Sequence, residues 1–231
     1  KNKIKYYYDA ILLLTKLQKI KREKVITFNK TKYLIPIYSK KKLFNESKLF
    51  LDWYIPNVIS NKIKKNVILE LKSIFLKLLK KLKYKKNVFI HRDFHVSNLM
   101  IHKKKIAVVD TQDAVFGNPS YDLASLIDDV RLNISSNDKN KILDRYFKIS
   151  KKSNKLKIKN DLEILSVLRN IKIIGIFTRL SLRDNKTQYL KLIPNAWKLI
   201  EYRINKNKNF FELKRVLDKY FPQKIRKKNE N

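Results

Sequence analysis

Apolar residues recur every three to four positions along most of this chain, the pattern of amphipathic helices. Tyr7, Ile11, Leu14 and Leu17 predict a helix over 4–20. A polar stretch over 21–41 containing Pro36 reads as irregular, and Leu43, Leu49 and Trp53 predict a helix over 42–55 that stops at Pro56. Ile68, Leu71, Phe75, Leu78 and Leu82 share one face of a long helix over 63–84, with Lys72, Lys80 and Lys83 on the solvated remainder. The period then changes. Val88-Phe89-Ile90, Leu99-Met100-Ile101 and Ile106-Ala107-Val108-Val109 are short apolar runs of strand length, and Lys103-Lys104-Lys105 between the last two predicts a hairpin. After Pro119 helices resume over 120–131, 138–151, 160–182, 188–204 and 209–220, and a polar, basic, frayed tail runs from 222 to 231. The expected class is α+β, mostly α, with a small β-patch set among helices.

Composition narrows the chemistry. The 231 residues are enough for one ordinary domain or two small ones, and 44% hydrophobic with 11% aromatic residues supports a folded core. Without Cys there is no disulfide, thiolate nucleophile or zinc finger, and a reducing, cytoplasmic setting is expected. Two glycines, Gly117 and Gly175, cannot write a G-x-G-x-x-G or Walker A loop. The charge of +35 admits two readings. One is a footprint for nucleic acid or an anionic surface. The other is the A/T-rich codon bias that also enriches Asn, Ile, Phe and Tyr over Gly, Ala, Pro and Arg. The excess of Lys over Arg favours bias, so nucleic acid is not expected as a partner. No membrane span is expected, since no apolar run approaches the roughly 20 residues required. The chain starts with Lys1 and its one Met is Met100, so a preceding segment is expected to be missing.

The chemistry concentrates in the β-patch, at His91-Arg92-Asp93-Phe94-His95-Val96-Ser97-Asn98 and, across the hairpin, Val109-Asp110. An Asp after a strand, an amide five residues on and a second carboxylate behind the hairpin can converge on one point. Few protein oxygens plus water and phosphate suit Mg²⁺. Two other readings stay open on residue types alone. His91 and His95, four apart, could form half of a zinc site. Asp93, Asp110 and Asp113 could form a two-metal nuclease cluster.

The same segment resembles the catalytic loop of the protein-kinase-like superfamily, where H-R-D-x-x-x-x-N is followed across a hairpin by a metal-binding Asp. Thr111-Gln112-Asp113 in place of Phe-Gly points to the small-molecule branch, similar to aminoglycoside phosphotransferases and choline kinases. His91-Arg92-Asp93-Phe94-His95, Val109 through Gly117 and Pro119-Ser120-Tyr121-Asp122-Leu123 resemble the anomeric amino-sugar kinases of peptidoglycan recycling. Phe50-Leu51-Asp52-Trp53-Tyr54 and Gly175 through Leu180, continuing to Pro194, fit the same family, so the likeness spans about 5–204.

That resemblance implies a kinase-like C-terminal lobe over 1–221 that lacks its ATP-covering N-terminal lobe. It also implies ATP and Mg²⁺ as cofactors and a small sugar as the substrate. Asp93 is then the catalytic carboxylate, and Asn98 and Asp110 hold the metal. His95, His91 and Arg92 contact phosphate or brace the loop, and Asp122 is a structural brace. Gln112, Asp113, Arg179 and Arg183 are candidate substrate contacts.

Overall fold

The computed structural model describes residues 3–26, 28–103, 105–151 and 154–228. Two compact units form, each from two stretches of chain: 1–39 with 83–162, and 40–82 with 163–231.

In the first unit, α1 (Lys3–Leu17) buries Tyr7, Ala10, Ile11 and Leu14, the face its periodicity predicts. It packs on α6 (Ser136–Ser150), which buries Ile142, Leu143, Tyr146 and Phe147. Ser135 starts α6, its hydroxyl accepting the Asp138 N–H at 3.1 Å, and Lys151 ends it in the left-handed region at φ 49°. Gln18 joins this pair to the chain ahead of α5 (Ser120–Ile127). It donates to Pro119 O at 3.1 Å and accepts from Tyr146 Oη at 2.8 Å.

Segment 21–41, expected to be irregular, instead carries a hairpin of β1 (Lys24–Ile26) and β2 (Lys32–Leu34). Three-residue strands interrupted by lysines are too short to show a period of two. β3 (Val88–Ile90) is the expected buried strand, and it pairs antiparallel with β6 (Val115–Gly117), which was not anticipated. The expected hairpin forms from β4 (Leu99–His102) and β5 (Lys105–Val108). The centre of its turn, Lys104, lies outside the described residues. Asp161, on α7 (Lys155–Asp184), ties the chain ahead of β3 to the chain ahead of α5. Its carboxylate accepts the N–H groups of Lys83 and Tyr84, each at 2.8 Å, and the Asn118 amide at 2.7 Å.

In the second unit, the helix expected over 42–55 divides. α2 (Lys40–Leu49) passes into a π-helical turn, Phe50–Tyr54, and then into α3 (Ile55–Val58). Pro56 therefore opens a helix rather than closing one, because a first-turn residue needs no N–H partner. The long helix α4 (Asn61–Lys80) packs against α9 (Phe211–Tyr220). Phe50, Tyr54, Trp197 and Phe221 form an aromatic cluster with ring centroids 5.0–6.1 Å apart, Trp197 lying on α8 (Ile193–Ile204). Helix α7 (Lys155–Asp184) starts in the first unit and continues through the second.

The tail from 222 departs from expectation. α10 (Gln223–Arg226) is helical and Arg226 is buried, bonded to Phe221 O, Glu201 and Asp218. Among the described residues no helix is long and apolar enough to cross a membrane.

Candidate active site

Strand β3 is buried on all three residues and delivers the chain into the loop at His91. The turn that follows is held from beneath by one carboxylate. Asp122, fully buried in the first turn of α5, accepts the N–H of His91 at 2.7 Å and that of Arg92 at 2.9 Å. Arg92 sits at φ 74°, a conformation that side chains rarely adopt and that these two bonds stabilise.

From there the loop is laced to itself. His95 N–H donates to Asp93 O at 2.9 Å, and Asn98 N–H to His95 O at 3.0 Å, closing a 3₁₀ turn over Val96–Asn98. The Asn98 side-chain amide reaches back to Asp93 O at 3.1 Å. Across the hairpin, Val109 N–H donates to Asn98 O at 3.0 Å, while Val109 O accepts from His91 Nε2 at 3.0 Å. A carbonyl can only accept, so the His91 proton is on Nε2. Asp110 follows at φ 67°. Asp93, Asn98 and Asp110 thus hang on one hydrogen-bonded frame.

The expected residues divide clearly. Asp93 and Asn98 are half-buried, and Asp110, Gln112 and Asp113 are exposed at one edge. Arg92 points its guanidinium toward Asp113, with 3.3 Å to the carbonyl and 3.6 Å to the carboxylate, and stacks over Tyr38 at 5.4 Å from the ring centroid. Tyr38 in turn meets Tyr121 edge-on and donates to its hydroxyl at 3.2 Å. His91 and His95 are buried within the loop, and Phe94 between them is wholly in the core. His102 lies at the exposed end of the hairpin. Arg179 and Arg183 belong to α7 in the second unit, and Arg183 is bonded to Asp184 at 2.7 and 3.0 Å.

No group of three or more His, Asp or Glu among the described residues could hold a metal by itself. That leaves the zinc and nuclease readings without a ligand set there. The donors that remain suit Mg²⁺ completed by water and phosphate. The Asn98 Nδ2 is engaged with Asp93 O, which leaves its Oδ1 as an oxygen donor, and Asp110 adds a carboxylate.

Asp129 escaped the sequence reading. Buried just past α5, it accepts the Val96 N–H at 3.1 Å and both the N–H and the guanidinium of Arg131 at 3.1 Å. Its neighbour Asp128 is equally buried against Lys139 at 2.6 Å. Two adjacent acids in the apolar run Leu126-Ile127-Asp128-Asp129-Val130 were the available signal.

Comparison with known proteins agrees with this geometry. Residues 3–153 match the model of the phosphotransferase enzyme family. The N-acetylmuramate/N-acetylglucosamine kinase of Caulobacter vibrioides is 27% identical over 88% of this chain, and that of Neisseria meningitidis serogroup B is 30% identical over 80%. The chain spans 57% and 55% of their lengths. Two solved structures share the fold. A Plasmodium vivax ethanolamine kinase has a TM-score of 0.55 at 13% identity, covering 87% of this chain and 60% of its own. The ADP-bound aminoglycoside phosphotransferase APH(2'')-Ib has a TM-score of 0.51 at 18% identity, covering 87% and 63%. The family match, the fold and the laced H-R-D-x-x-x-x-N loop agree, and the chain belongs to the phosphotransferase enzyme family.

Proposed function

We propose that this chain carries the catalytic loop of an ATP- and Mg²⁺-dependent kinase that phosphorylates the anomeric hydroxyl of N-acetylmuramate and N-acetylglucosamine. The observation that carries the reading is the frame joining Asp93, Asn98 and Asp110 through Asp93 O, Asn98 O and Val109. The choice of acceptor is supported by the relatives of that name, which this chain matches over 80–88% of its own length.

Phosphoryl transfer through a loose transition state asks mainly for positioning and charge neutralisation. Asp93 orients the attacking hydroxyl and takes its proton late in the transfer. Asn98 Oδ1 and Asp110 would hold Mg²⁺, which when bound neutralises charge on the phosphates. His91 fixes the backbone entering Asp110 through Val109 O, and Asp122 fixes the backbone entering Asp93. Arg92 steadies the segment after Asp110 through Asp113, so Asp113 acts first as a brace. His95 is a loop or phosphate contact, and Gln112 stays exposed at the edge where an acceptor can meet it.

The test is ATP consumption by the whole protein with each amino sugar, with product identified as the 1-phosphate by phosphorus NMR. Turnover of choline or an aminoglycoside in place of both sugars would overturn the acceptor assignment.

A further inference from the structure

Helix α7 carries a feature that phosphoryl transfer itself does not use. Arg169, Lys172, Ile176, Arg179 and Arg183 are spaced three, four, three and four residues apart, so they form one stripe along a single helical face. All five lie within the second unit. Exposure is graded along the stripe: Arg169 is 4% exposed, Lys172, Ile176 and Arg179 are half-buried, and Arg183 is open to solvent.

The charges along it do not balance. Lys172 is paired with Glu46 at 2.6 Å, and Arg183 with Asp184 at 2.7 Å. Arg179 lowers the Asp184 pKa through its field, and its buried Nε has no hydrogen-bond partner among the described residues. Arg169 makes no ion pair with any described residue, and its buried Nη1 has no partner either. A guanidinium cannot shed its charge, and a buried cation without a counter-charge is strongly disfavoured. Among the described residues, four cations on this face are matched by two carboxylates, and Arg169 and Arg179 each keep a buried nitrogen unmatched, which describes a place where an anion completes the structure.

The geometry points to this stripe as a binding site for the oxyanion of a small molecule, a carboxylate or a phosphate, with Arg169 as its inner anchor. Guanidinium groups suit either anion because their planar donors match two oxygens at once. This inference rests on the amino-sugar reading for one of its two sources. N-acetylmuramate carries a carboxylate on its lactyl ether, and N-acetylglucosamine has none. The other source is a free or ligand-borne phosphate.

Calorimetric titration of the purified protein with N-acetylmuramate, N-acetylglucosamine and inorganic phosphate separates them. The expected result is that N-acetylmuramate binds about tenfold or more tightly than N-acetylglucosamine. Arg169→Met abolishes that preference without lowering the melting temperature, because it removes an unpaired buried charge, and Arg169→Lys restores part of the preference. Phosphate binding that is lost in Arg169→Met, with neither sugar bound, supports the anion site and overturns the amino-sugar reading instead. Arg169→Met that binds N-acetylmuramate and phosphate as the wild type does would overturn the site itself. If that variant does not fold, Arg179→Met on the half-buried part of the stripe carries the same comparison.

Discussion

Asp122 holds Arg92 in the left-handed region: its buried carboxylate accepts the Arg92 N–H at 2.9 Å while the residue stays at φ 74°. The other oxygen takes the His91 N–H at 2.7 Å, so one side chain sets the two residues ahead of Asp93. Asp122→Ala leaves one buried and one part-buried N–H group unpaired, at about 1–3 kcal/mol each. The expected loss is about 3–5 kcal/mol, seen as a melting temperature lower by roughly 10 °C in calorimetry. A shift of less than 2 °C (about 0.5 kcal/mol) would remove Asp122 from this role.

Asp93 differs because its carboxylate is half-buried and its backbone carbonyl makes the structural bonds. Asp93→Asn is therefore expected to melt with the wild type and to lose turnover by about 10²–10⁴-fold. Steady-state kinetics on the whole protein measures this, and wild-type turnover in the variant would end the assignment.

Asn98 supports both sides of the frame. Asn98→Ala removes the amide bond to Asp93 O together with one proposed metal donor, so half-saturation is expected at a higher Mg²⁺ concentration. A Mg²⁺ titration of initial rates reads this, and an unchanged midpoint would place the metal elsewhere.

The two glycines predict unequal sensitivities. A Cβ on Gly175 would lie 2.3 Å from Leu49 C, 2.4 Å from Phe50 N and 2.5 Å from Leu49 O, all backbone atoms. On Gly117 the nearest atom is Ile90 Cδ1 at 2.8 Å, the far end of a side chain that can shift, and Tyr38 Cβ follows at 3.0 Å. Gly175→Ala is expected to cost about 3 kcal/mol or more and Gly117→Ala about 1 kcal/mol, measured by urea denaturation. Equal costs would mean the helices part more easily than this packing implies.

Alkaline pH should act through Tyr54. Burial pushes its phenol up to about 12, partly offset by the hydrogen bond from Trp197 and the charge of Arg226. Above pH 10 the unfolded chain can lose that proton while the folded one keeps it, so stability falls as pH rises from 10 to 12. The loss is on the order of 2–3 kcal/mol for this group. Tyr54→Phe is less stable at neutral pH, because Trp197 Nε1 loses its acceptor, but it declines less steeply over that window. Parallel slopes in alkaline urea titrations would contradict this.

What could be read from the chain follows from how local each signal is. The loop from His91 to Asn98 was legible because bonds spanning only two to five residues close it, so its spacing survives in the sequence. Helix faces such as Tyr7, Ile11 and Leu14 were legible for the same reason. β6 was not, since Val115–Gly117 finds its partner across 24 intervening residues at β3 and shows no period of its own. Pro56 misled because a proline suits the first turn of a helix as well as the position just past the end of one. Asp129 and Arg169 were invisible as single letters, and only burial and partners give them meaning.

The order in which the two units draw on the chain bears on how the protein is made. The apolar face of α1 is completed by α6, which begins only at Ser136, so a nascent chain carries the part of that face that α6 covers exposed while about 120 residues are added. At roughly 5–20 residues per second, that exposure lasts from about 6 to 24 seconds. During that interval Tyr7, Ile11 and Leu14 are natural binding targets for whatever shields emerging chains at the ribosome.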